Sequence, residues 1–191
     1  HKEAGKLAGE DMIAVTGGNA HIGMIVSDTD DSAQRLRMEG FLSAINPHKN
    51  MIVEETFESR SDRIRIRKLV SGMLQDNKRI NAIFCADQTA ADMLGDILQE
   101  EGYSKNNMKV VCFGMSREIY KYLQDGTYTF SVMNDTVEMG YQAVKTLKDC
   151  INGKSGEKRI VYTEIENADK DFDFESWKAE WENRERSCMM S

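Results

Sequence analysis

A chain of 191 residues, 40% apolar and 30% charged, buries one good core and leaves little over for a second. Its formal charge of -7 argues against a surface that contacts nucleic acid, and no apolar run approaches the roughly 18 residues of a membrane span. The four cysteines (Cys85, Cys112, Cys150, Cys188) and three histidines (His1, His21, His48) have no ligand-type spacing, so neither a metal nor another cofactor is expected.

In chain order, the apolar pattern alternates between helical and strand periods. Residues 4–15, "AGKLAGEDMIAV", read as a helix with Leu7, Ala8, Met12 and Val15 on one side. A short strand, "HIGMIVSD", precedes a helix over 35–45, and "MIVEETF" is the next strand. Ser61 opens a helix that turns Ile66, Leu69, Val70 and Met73 inward. The strand "NAIFCAD" leads to a helix over 89–101, which Gly102 ends. Then come the strand "MKVVCFGM", a short helix over 116–124, the strand "TYTFSVMN" and a helix over 136–151. "RIVYTEI" reads as a last strand, and "ESWKAEWENRER" as a polar terminal helix.

Segments such as "AIFC" and "VVCF" are apolar without alternation, as strands covered on both faces are. Helices between them supply the crossovers. The expected architecture is therefore α/β, a doubly wound (Rossmann-like) parallel sheet of about five strands, with ligands at the strands' carboxyl ends.

Five loops gather at that edge: 28–32, 57–61, 86–89, 114–116 and 133–136. They carry Asp28, Asp30, Asp31, Ser59, Asp87, Gln88, Ser116, Asn134 and Asp135. This set is rich in hydrogen-bonding groups but pairs no nucleophile with a base, so no catalytic residue is assigned and an enzyme is not expected. "TGGNAHIG" precedes a strand instead of joining strand to helix, so it is no dinucleotide loop. Asp28, Asp30, Asp31, Ser32 and Asp87 all precede helices, where capping is the ordinary role. Phe57 closes a strand, either as core or as a platform for a sugar ring. In "RLRMEGFLSAI", Arg35 stays in water, whereas Arg37 lies one turn before Phe41 and can offer its planar fork to vicinal hydroxyls or a carboxylate.

"HKEAGKLAGEDM", "RLRMEGFLSAI", "NAIFCADQTAADML", "KVVCFGM" and "LQDGTYTFSVMNDTVEMGYQAVKTL" resemble, in order and spacing, the type I periplasmic sugar-binding proteins. The same fold serves lactose-repressor-type regulators as effector domain. The resemblance runs over about residues 1–165. It implies two α/β lobes that close on a ligand, with residues 1–134 as the C-terminal lobe and the N-terminal lobe absent. Residues 135–165 would be the helix and strand that return to that lobe, and 166–191 a polar, partly helical tail. Arg37 stands where the family contacts sugar hydroxyls, Phe57 matches an aromatic wall, and Asn134 keeps an amide at a lobe crossing. With Asp87, these form the expected ligand-binding set.

Two departures bear on ligand choice. The family's Asn-Asp pair reads Ala86-Asp87, and its Gly-Phe-Asp reads Cys112-Phe113-Gly114, losing a carboxylate that grips sugars. The resemblance implies a small polar ligand, sugar or sugar-like, and a solute-binding protein or ligand sensor outside the cytoplasm. Its partner would be a membrane transporter or a sensor kinase. The alternative is a cytoplasmic regulator's effector domain. The helix over 136–151 carries Val137, Tyr141, Val144, Leu147 and Ile151, an apolar face expected to associate, as a homodimer, when its usual cover is missing.

Overall fold

The computed structural model describes residues 1–104, 106–154 and 160–189, and divides into two compact units. The first comprises His1–Met133 with Asn167–Asp171, and the second Asn134–Glu166 with the stretch from Phe172 onward.

The first unit contains α1 (Lys2–Thr16), β1 (Asn19–Val26), α2 (Ser32–Ile45), β2 (Asn50–Glu58), α3 (Arg63–Asp76), β3 (Ala82–Cys85), α4 (Gln88–Glu100), β4 (Lys109–Phe113) and α5 (Arg117–Gln124). β5 (Phe130–Asn134) closes it, and β6 (Ile165–Ala168) makes the sheet six-stranded in the order β2-β1-β3-β4-β5-β6. β1 pairs in parallel with β2 and β3, β3 with β4, and β4 with β5, so the expected parallel sheet is found. β3 is buried along its length and β4 over Val110–Phe113, which explains their unbroken apolar runs. The chain steps outward from β1 to β2 and then crosses back to β3. Loops leaving β1 and β3 thus diverge and open a crevice at the carboxyl rim.

Helix α1 buries a different stripe from the one hydropathy suggests. Its buried residues are Ala4, Gly5, Ala8, Gly9 and Met12, while Leu7 and Val15 are half-exposed. The reason is a close crossing with α2. A Cβ on Gly5 would stand 2.0 Å from the Arg37 carbonyl oxygen, and one on Gly40 2.0 Å from that of Lys2. Small residues allow two helix backbones to touch, and larger apolar ones are turned aside.

The edge strand β2 carries a bulge, because Ile22 pairs Val53 and Gly23 pairs Glu55. The skipped Glu54 meets His21 Nδ1 at 2.6 Å and accepts from Asn77 and Arg79 at 3.3 Å each. These bonds, with His21 foremost, hold its carboxyl below the ordinary range. Cys85 and Cys112 are fully buried, and burial pushes the Cys112 thiol up to about 12, as inert core thiols require.

The second unit holds α6 (Thr136–Ile151) and α7 (Phe174–Met189). Asp135 caps α6 by accepting from the Glu138 amide at 2.9 Å, and Arg184 of α7 clasps the same carboxylate at 2.6 Å. Trp177 packs between Phe174 and Trp181. α6 buries no residue, and Val144, Leu147 and Ile151 are largely exposed.

The last strand differs from the sequence expectation. Within "RIVYTEI", residues 160–164 have no regular structure, pairing begins only at Ile165, and residue 159 lies outside the described residues. Ile160 and Tyr162 are exposed, so their β propensity has no half-buried surface to act on.

Candidate functional site

The site is built around α2. Asp31 caps this helix, accepting from the Gln34 amide at 2.8 Å, and so fixes where the first turn points. Gln34 and Arg37, three residues apart, share the helix face that looks over the carboxyl rim. Arg37 Nη1 donates to the Ala86 carbonyl at 2.8 Å, and Gln34 Nε2 donates to the same oxygen at 3.3 Å. That oxygen lies just past the end of β3, beside the crevice.

Aromatic rings hold this arrangement from below. Phe41, one turn after Arg37, stacks on Phe84 of β3 at 4.0 Å between centroids, and Phe84 meets Phe113 of β4 edge-on at 5.9 Å. The Arg37 guanidinium lies over the Phe113 ring at 4.3 Å. The motif Arg-x-x-Gly-Phe thus sets one residue over the rim, one against α1 and one in the core. Arg37 Nε is buried and has no hydrogen-bond partner. Burial pulls the guanidinium's pKa down, while nearby Asp31 and Asp87 pull it up, and the group stays a cation at neutral pH.

Asp87 is buried and caps α4 by accepting from the Thr89 amide at 3.1 Å. Its carboxylate also accepts from Ser61 Oγ at 3.2 Å and from the Ser59 hydroxyl. These bonds tie the loop after β2 to the loop after β3. The tie is strong enough to hold Arg60 and Ser61 at φ of 52° and 50°, a left-handed conformation costing about 1–3 kcal/mol per residue.

Phe57 pairs with Ile25 and packs toward Ile66, Leu69, Val70 and Met73, against α3. The ring under Arg37 is Phe113. Asn134 ends β5 and belongs to the second unit. The sequence did not single out Gln34, the ring of Phe113 as the platform under Arg37, or the bonds of Ser59 and Ser61 to Asp87. Gln34 had a signal, its helical spacing from Arg37; Phe113 had none that set it apart from other buried strand residues.

Gly114 explains one departure from the family pattern. Its φ is 94°, and a Cβ there would lie 2.4 Å from the Gln88 side-chain oxygen. A neutral amide therefore fills the space beside Phe113, and residue 114 has no room for a side chain without strain.

Residues 1–155 match the periplasmic binding protein domain family. The chain is 24% identical over 151 residues to the ribose import binding protein RbsB of Escherichia coli strain K12, covering 78% of this chain and 50% of that protein. Among solved structures it resembles GanP, a glucose-galactose binding protein from Geobacillus stearothermophilus, with a TM-score of 0.83 and 25% identity over 88% of this chain and 60% of that one. An ABC transporter solute-binding protein from Burkholderia graminis, solved with D-arabinose, gives a TM-score of 0.84 at 23% identity, over 89% and 60%. The chain thus spans about half the length of the curated relative it matches. With a parallel sheet, a carboxyl-rim site and a family match over most of its residues, the chain belongs to the periplasmic binding protein domain family.

Proposed function

We propose that this chain is one lobe of a hinged solute-binding protein that closes on a small polar ligand, a sugar or a close relative of one. The observation that carries the reading is Arg37, a partly buried cation over the carboxyl rim with an unused N–H edge. Residues 1–134 act as the C-terminal lobe, 135–165 as the return to the other lobe, and 166–191 as a tail. Arg37 makes the main polar contact, Asp87 holds the rim loops in place, Phe57 serves as an aromatic wall at the end of β2, and Asn134 is the amide at the lobe crossing. Closure works by population shift, because a ligand that touches both lobes favours the closed form. The relatives are binding proteins, and the role proposed here is capture without chemistry. Such a module works outside the cytoplasm and passes its signal or cargo to a membrane transporter or sensor kinase.

The test compares lengths. Titration calorimetry with D-ribose, D-arabinose and D-galactose is expected to show binding by the full-length gene product and at least about 100-fold weaker binding by residues 1–191 alone, which offer half the contacts. Equal affinity for the two would refute the clamp. The exposed α6 face of Val144, Leu147 and Ile151 supports a second expectation, that the isolated chain dimerises through it. Light scattering is expected to give a dimer mass that Leu147→Glu returns to monomer.

A further inference from the structure

We propose that Gln88 is a ligand-contacting residue, its side-chain carbonyl oxygen accepting a hydrogen bond from a hydroxyl of a neutral sugar. The proposal rests on the binding-lobe reading above and adds a specificity-determining contact to the same site.

Gln88 is the first residue of α4, directly after the Asp87 cap, and it is exposed at the carboxyl rim. An exposed glutamine is ordinarily free to sample many rotamers. This one lies across Gly114: a Cβ on that glycine would stand 2.4 Å from Gln88 Oε1, 2.6 Å from Cδ and 2.8 Å from Cγ. The bare glycine is therefore the seat of the amide. Gln88 Nε2 donates to the Met115 carbonyl at 3.4 Å, a long bond that points the nitrogen toward the loop after β4. That loop is itself held. One turn along α4, Asp92 accepts from Ser116 Oγ at 2.7 Å, and the Ser131 hydroxyl donates to the Gly114 carbonyl from β5. Seat and amide thus keep their relation without a ligand.

The oxygen so placed is open. On the same loop Asp87 Oδ1 takes Ser61 and the Thr89 amide, Oδ2 takes Ser59, and the Ala86 carbonyl takes Arg37 and Gln34. Gln88 Oε1 accepts no hydrogen bond from the described residues. Its neighbour on the rim is Arg37, which is tied to Ala86 and lies over Phe113, the residue before Gly114. Arg37 can only donate and Gln88 Oε1 can only accept, whereas a hydroxyl does both, so two neighbouring hydroxyls on one ring satisfy the pair. An ammonium group would also donate to the amide oxygen, but the guanidinium beside it repels a second cation.

Titration calorimetry on the full-length gene product takes D-ribose, D-arabinose and D-galactose, then the monodeoxy forms of whichever sugar binds. Gln88→Met, equal in length but without an acceptor oxygen, is expected to weaken the parent sugar about 5- to 10-fold. One deoxy sugar, the one lacking the hydroxyl that Gln88 meets, is expected to bind wild type and variant alike. Gly114→Ala keeps the amide but takes its seat, and it is expected to weaken the parent by a similar factor; circular dichroism checks both folds. Parent affinity left unchanged by either substitution, or deoxy sugars that all lose the same factor as the parent, overturns the proposal and leaves the sugar-lobe reading in place. Failure of the wild-type protein to bind any of the three parents overturns both.

Discussion

Gly40→Ala is expected to destabilise the protein by about 3 kcal/mol, although alanine is the better helix former. In an open helix the same change would stabilise by roughly 0.5–1 kcal/mol. Here the new methyl would stand 2.0 Å from the Lys2 carbonyl oxygen and 2.7 Å from the Lys6 nitrogen, both backbone atoms that no rotamer change can move. α1 must lift off α2, and the contact of Gly5 with the Arg37 carbonyl is lost with it. Gly72→Ala on α3 is the matched control, because nothing lies within 4 Å of its Cβ position. Urea denaturation of the two variants should therefore give shifts of opposite sign. Two small shifts of the same sign would mean that the helices do not touch at backbone level.

Arg37→Met is expected to weaken ligand binding by about 100-fold or more while changing stability by only about 1 kcal/mol. Binding falls because the variant removes charge-assisted donors, each contributing about 1.5–3 kcal/mol. Stability holds for three reasons. Methionine is long enough to cover Phe113 and favours contact with an aromatic ring. The Ala86 carbonyl keeps its bond from Gln34. A partly buried cation with an unmet N–H is replaced by an apolar group, which relieves a desolvation cost. Calorimetry for affinity and thermal melting for stability separate the two quantities. A large loss of stability with affinity unchanged would make Arg37 a structural residue and no more.

Much of this arrangement is legible in the residues themselves. Continuous apolar strands such as Ala82–Cys85 signal burial on both faces, and helices between them dictate parallel pairing. The place of Arg37 follows from its distance of one turn from Phe41, since the core ring fixes the helix's rotation. The aromatic beneath it is a different matter. Phe113 ends an apolar strand covered on both faces, which has no periodicity to say where its ring turns, and Phe57 closes a polar edge strand, so the residues alone do not say which ring faces α2. The buried stripe of α1 escapes a hydropathy reading because glycine contributes nothing to it, yet Gly5 and Gly9 make the contact. Gly114 likewise reads as a lost carboxylate, and only the backbone conformation and the packed Gln88 amide show what replaced it.

A crystal structure of the full-length gene product grown with a bound sugar tests the central claim most directly. The account predicts ligand oxygens within hydrogen-bond distance, about 3 Å, of the free edge of Arg37 at the carboxyl rim of β3 and β4. A ligand seated elsewhere, with Arg37 still bound only to the Ala86 carbonyl, would contradict it.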